Sequence, residues 1–339
     1  KCEIFAFRRY FWYNLKIFFK GETHEEKNYS FFVSFTTTLW LAVILSIVFV
    51  YGGEIVGGLA LVPISILLGL VLGLVHSEAG FVMIQELTSH YMIFIQLFLF
   101  FFISLALFLW VKCVEKRPFS SLGFFKENWF KELGKGFLIG AAQFSFIVAL
   151  LLVTGVGRLE LSYLSLEPFL FIIALIPFWM LQGGTEELVT RGWLFPTVTA
   201  KSNILVGFLI SASLFGALHL LNPGVTLLSI VNIILDGAFA CFYMLKTDNM
   251  WGLAGIHGAW NFVQGNIYGI QVSGQGAETS VFAYNTKSNV DWLSGGAFGA
   301  EGSIFTSLVL ILSIFYLYWS LKKEDKLPAA LQFRKSNLT

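Results

Sequence analysis

Charge is what this chain has least of. Only 13% of its 339 residues are Asp, Glu, Lys or Arg, against 56% hydrophobic ones, where a soluble domain carries roughly 25% charged. With a mean hydropathy of +0.75, that scarcity excludes an ordinary water-soluble domain and implies an integral membrane protein. A net charge of +1 without a basic, aromatic-interleaved stripe excludes nucleic acid as a partner. Cysteine is sparse too. Cys2, Cys113 and Cys241 are odd in number and lack CxxC spacing, so they read as free thiols rather than a disulfide framework or a thiolate metal site. No HExxH is present, since His24, His76 and His90 precede EEK, SEA and YMI. There is no internal repeat, low-complexity tract or second soluble domain, and residues 1–30 lack the apolar core of a secretory signal. A chain beginning at Lys1 instead of Met reads as a trimmed piece.

What is there is a series of apolar runs near the roughly 20 residues a helix needs to cross a bilayer. They predict an all-α, polytopic transmembrane bundle of about eight spans. Residues 1–30, with Lys1, Arg8, Arg9, Lys16, Lys20 and Lys27 among aromatics, read as a cytoplasmic amphipathic arm. Residues 31–111 form the N-terminal spans. Within them, 31–75 is interrupted by Gly52, Gly53, Gly57 and Gly58 around Glu54 and is expected to be one broken or re-entrant passage. The core is 112–270, opening with a basic loop from Lys112 to Lys135; 271–302 is an extracytoplasmic loop; 303–339 is a last span and basic tail. The many phenylalanines read as lipid-facing and interhelical packing.

The polar groups inside these runs are few and costly. One charged side chain at a helix centre costs roughly 2.5–3.5 kcal/mol even on lenient insertion scales, yet the stretch GGTEELVTRGWLFP holds Glu186, Glu187 and Arg191. Glu187 and Arg191 are four apart and can neutralise each other on one helix face. Glu186 lies about 100° round and needs partners from elsewhere. Two other spans offer them, each on one face: Phe215 with His219 in SASLFGALHLLNP, and His257 with Asn261 in GLAGIHGAWNF. A carboxylate beside imidazoles can take a proton from water as a general base, while the remaining His and Asn donate to the oxyanion formed as water attacks an amide. Alternatively Glu186, His219 and His257 could hold a divalent metal such as zinc with an open position. Spacing does not separate these chemistries. Taken singly, an EExxxR pair is often a structural ion pair, a lone histidine more often satisfies a backbone carbonyl, and Phe215 reads as packing. Three such stretches on three spans are harder to dismiss.

In that order on successive apolar segments, Glu186-Glu187-x-x-x-Arg191, Phe215-x-x-x-His219 and His257-x-x-x-Asn261 resemble the CPBP (Abi) family of intramembrane proteases, which includes type II CAAX prenyl proteases and bacteriocin-processing proteins. KRPFSSLGF at 116–124 also resembles the loop preceding that family's core. The resemblance covers about 112–270. It implies that Glu186 activates water with His219, that Glu187 and Arg191 support the site, and that His257 and Asn261 steady the water or oxyanion. The metal-free, glutamate-type mechanism is the one expected, with zinc as the alternative. Thr190 stands where the family usually has an aromatic or apolar residue.

The expected activity is therefore intramembrane hydrolysis of a peptide bond in a membrane-bound peptide or protein, in a bacterial plasma membrane, with no cofactor favoured and with the lipid bilayer as surroundings. A non-catalytic scaffold of the same fold, working through its loops, is the competing reading; a proton-coupled transporter is a third. One geometric tension stands. Straight helices would leave His219 roughly 15–20 Å from Glu186 and His257 along the membrane normal. The helices must then tilt or break, with Gly183-Gly184 the expected hinge, or the spans end elsewhere.

Overall fold

The structure, a computed structural model, describes residues 39–74, 78–162, 165–276, 279–287 and 289–332. The arm expected at 1–30 and the end of the basic tail lie outside these residues. Helices dominate, as the apolar runs dictate: α1 (Leu39–Leu74), α2 (Glu78–Leu109), α3 (Trp129–Val153), α4 (Leu166–Glu187), α5 (Phe195–Lys201), α6 (Ile204–Leu218), α7 (Leu227–Thr247), α8 (Met250–Phe262), the single turn α9 (Asp291–Ser294) and α10 (Ile304–Lys323). π-Helical segments, Leu188–Leu194 and Val263–Ile267, continue α4 and α8. Among the described residues six helical stretches are long and apolar enough to cross a membrane: 39–63, 91–114, 129–153, 166–201, 227–247 and 304–323. The protein is an all-α polytopic bundle. The two remaining apolar segments, α6 and α8, are only 15 and 13 residues long, and they carry the histidines.

Short polar side chains start α6, α7 and α8. Asn203 Oδ1 accepts from Val206 N at 3.0 Å and Asn249 Oδ1 from Gly252 N at 3.2 Å. Thr226 and Ser229 close a reciprocal capping box, so backbone donors left over at these three starts find oxygen.

Helix α8 sits at the centre, buried along most of its length and packed on α3 and α4. Glycines make that approach possible. A Cβ placed on Gly140 of α3 would lie 2.1 Å from the Ile256 carbonyl oxygen, and one on Gly183 of α4 would lie 2.7 Å from Gly258 N. The expected hinge at Gly183-Gly184 is accordingly not a break: α4 runs on through it, and the missing side chains let its backbone meet α8. The same correction applies to the expected broken passage at 31–75. Its described part is the continuous helix α1, and a Cβ on Gly53 would collide with the Ile103 backbone of α2 at 2.6 Å. Tight helix contact and helix breakage both select glycine, and at Gly53, Gly57, Gly140 and Gly183 contact is the reason.

The 271–302 region is not featureless. Strand β2 (Phe282–Thr286) pairs antiparallel with β1 (Gly157–Leu161), Gly157 opposite Thr286 and Leu161 opposite Phe282. Its far end is pinned by Asn232 of α7, whose Nδ2 donates to the carbonyls of Glu301 at 2.6 Å and Ser303 at 2.8 Å. At the other end of the core, Glu115 accepts from the indoles of Trp110 and Trp193 and from Arg117. Gly123, with φ +86, accepts from the first amide of α8 at 3.0 Å. The KRPFSSLGF loop thus fixes where α8 begins.

Candidate active site

Glu186 and Glu187 end α4, just where the helix loosens into its π-segment, a local widening common at functional sites. Adjacent residues on a helix diverge, and these two carboxylates divide accordingly. Glu187 is 1% exposed and pairs with the Arg191 Nη1 at 3.2 Å. Its Oε1 also meets His257 Nδ1 at 2.8 Å. Arg191 Nη1 donates to the Thr190 hydroxyl at 2.6 Å, and that hydroxyl donates to the Glu186 carbonyl at 2.6 Å. Thr190, the departure from the family pattern, therefore ties the arginine to the helix. The Arg191 guanidinium lies over the Phe215 ring at 4.2 Å, a cation–π contact strengthened by desolvation. Phe215 in turn meets the rings of His219 and His257 edge-on, at 4.9 and 5.9 Å.

Glu186 faces a cavity of about 560 Å³. Its Oε1 accepts from Gln182 at 2.6 Å. Its Oε2 has no hydrogen-bond partner and lies 3.6 Å from His257 Nε2. His219 ends α6, with Nδ1 on the Phe215 carbonyl at 2.8 Å. That carbonyl is an acceptor, so Nδ1 carries the proton and Nε2 is the free ring nitrogen. Asn261 is 3% exposed and donates to Gln182 at 2.8 Å. Glu186, Glu187, Phe215, His219, His257 and Asn261 all line the one cavity, so the three motifs do converge. The tension over His219 resolves because α6 stops at Leu218 and is too short to carry the histidine across a whole span. No hydrogen bond or ion pair joins Glu186 to His219; the imidazole nearest Glu186 is that of His257.

Among the further groups that line the cavity outside the motifs are Gln182, Glu54 on α1, Asp236 on α7 and Glu301 before α10. Asp236 in VNIILDGAFA carries the signal that exposed Glu186, an acid in an apolar run, and was findable. Glu301 lies in a loop, where an acid is unremarkable. Burial raises its carboxyl above the ordinary carboxylate range, opposed by hydrogen bonds from the Ser273 amide and hydroxyl.

As for a metal, Glu186, His219 and His257 form no ligand cluster among the described residues. Glu187, Asp236 and His257 do bring ligand atoms within 4.8 Å of one another. Within that group Arg191 already neutralises Glu187 and His257 Nδ1 is engaged as its hydrogen-bond partner, while Glu187 Oε2 is left without a hydrogen bond.

The family model described as "Type II CAAX prenyl endopeptidase Rce1-like" matches residues 168–263, a stretch holding all three motifs. No curated protein and no solved structure matches the chain.

Proposed function

From the premise that the core at 168–263 is Rce1-like, of the type II CAAX prenyl endopeptidase family, we propose that Glu186 is the general base of an intramembrane endopeptidase. The observation that supports this most is the state of its carboxylate: one oxygen is held by Gln182, and the other is unpartnered, turned to the cavity beside His257. Oε2 takes a proton from a water in the cavity as the water oxygen adds to the scissile carbonyl carbon. The carbonyl pair of electrons moves onto oxygen. The free Nε2 of His219 is an acceptor and orients the attacking water, while the second N–H of Asn261, the one not given to Gln182, supplies a donor for that oxyanion, a task worth several kcal/mol. On collapse the C–N bond breaks, and the proton held by Glu186 passes to the leaving nitrogen. Glu187 acts as acceptor for His257 Nδ1, fixing the ring's orientation, while Arg191 balances the charge. The mechanism needs no metal. The substrate is a membrane-anchored peptide or protein, with a leader or membrane peptide of a bacterial plasma membrane preferred to a prenylated one.

The test is cleavage of membrane-anchored reporter peptides by the purified protein in proteoliposomes, with metal analysis and a chelator arm. Glu186→Ala and His219→Ala should abolish cleavage while the protein still inserts and purifies, and the chelator should leave the wild-type rate unchanged. If Glu186→Ala matches wild type, the scaffold reading replaces the enzyme. If the chelator abolishes cleavage and zinc restores it, the metal-free mechanism is wrong.

A further inference from the structure

The geometry points to Gln182 as a positioning residue that holds Glu186 in its working orientation and couples it to Asn261. This deepens the proposed reaction and rests on it. Gln182 lies one helical turn before Glu186 on α4 and is 8% exposed. Its Nε2 donates to Glu186 Oε1 at 2.6 Å and its Oε1 accepts from Asn261 Nδ2 at 2.8 Å. The direction of this chain is set by chemistry. A carboxylate only accepts, so the amide must turn its NH₂ to Glu186; its oxygen then faces α8, and Asn261 must be the donor.

Two consequences follow. The first concerns Glu186, whose Oε1 is fixed, so Oε2 alone is presented to the cavity and to His257 Nε2. The second concerns Asn261. One of its N–H groups is spent on Gln182, so part of its influence on the reaction passes through Gln182 and not directly to the oxyanion. No other standard side chain of this length both donates to a carboxylate and accepts from a carboxamide at neutral pH. Leucine does neither, and glutamate does both only when protonated.

The full-length protein in proteoliposomes, assayed on the same membrane-anchored reporter peptides, tests this with Gln182→Leu and Gln182→Glu. Gln182→Leu should lower kcat about ten-fold or more with KM little changed, the pattern of an interaction that serves the reaction and not substrate binding. Gln182→Glu should be impaired at pH 8 and recover as pH falls, because its protonated form donates again. A second readout does not depend on turnover: labelling of Glu186 by a hydrophobic carbodiimide, read by mass spectrometry. A donated N–H favours the charged carboxylate, so labelling at pH 7 should rise about ten-fold in Gln182→Leu. If both variants keep the wild-type kcat and labelling, or if only the melting temperature falls, Gln182 is a structural bolt between α4 and α8 and the inference is wrong. If wild type cuts no reporter but labelling responds as stated, the control of Glu186 by Gln182 stands and the endopeptidase reading fails.

Discussion

Arg191 is held by charge, hydroxyl and aromatic face at once, and the three are unequal. Its pairing with Glu187 at 3.2 Å involves two side chains with essentially no exposure, so neither charge has water to fall back on. Breaking such a pair costs about 3–5 kcal/mol, because the partner is left buried and uncompensated. Arg191→Met is therefore expected to lower the melting temperature sharply in detergent. The double variant Arg191→Met with Glu187→Gln should recover much of the loss, since the amide can still meet His257 without a counter-ion. Arg191→Lys should recover less, because a point charge cannot stack on Phe215 as a planar guanidinium does. A single Arg191→Met variant that melts with wild type would remove the arginine from this account. The Glu187–Arg191 pair was legible from its spacing alone. That Glu187 also claims His257 was not, because two motifs on different helices carry no record of which carboxylate faces which ring.

Between helices, the seam of α8 with α3 decides how far the histidine helix sits from its neighbours. Gly140 and Gly134 occupy the same helix with opposite surroundings: a Cβ at Gly140 meets the Ile256 carbonyl at 2.1 Å, and one at Gly134 meets nothing within 4 Å. Gly140→Ala should thus push α3 from α8 and destabilise by about 1–3 kcal/mol, as overpacking does. Gly134→Ala should be neutral or stabilise by up to about 1 kcal/mol through helix propensity. Thermal melts of the two variants side by side check the contrast, and equal shifts would mean the seam is not tight. Hydrophobic length is a strong signal, and an apolar run marked each of the six span-length helices; it overran α6 and α8, whose helices are only 15 and 13 residues long. The sequence misjudged the role of Gly53 and Gly183 because a glycine needed for close approach looks the same as one needed for a hinge. It also left 271–302 a bare loop, since the short strand there is defined only by its partner at 157–161.

For the molecule as a whole, convergence is the part that sequence order could not supply. Glu54, Asp236 and Glu301 come from α1, α7 and the segment before α10, and only packing brings them to the cavity of Glu186. The groups at the ends of the spans instead couple the whole fold to pH, with opposite signs. Glu324, just past α10, is held down at about 2 by Lys246 and Lys326. Its contribution is present above the ordinary 4.5 and lost as pH falls through 2, but the site is exposed and the effect small. Asp248, in the turn from α7 to α8, is pushed up from 3.8 to about 7 by burial. A carboxyl raised in the folded state binds more protons there than in the unfolded chain, so stability is greatest below about 3.8 and declines as pH rises toward 7. Asp248 also has φ +51, a left-handed conformation that asparagine tolerates well. Asp248→Asn should therefore melt several degrees above wild type at pH 8, with the gap closing as pH is lowered to 4. Melting curves of both proteins across that range decide it. A constant gap would mean the gain is conformational, and no gap at pH 8 would mean the charged carboxylate is already well solvated in the turn that joins the Asp236 helix to the His257 helix.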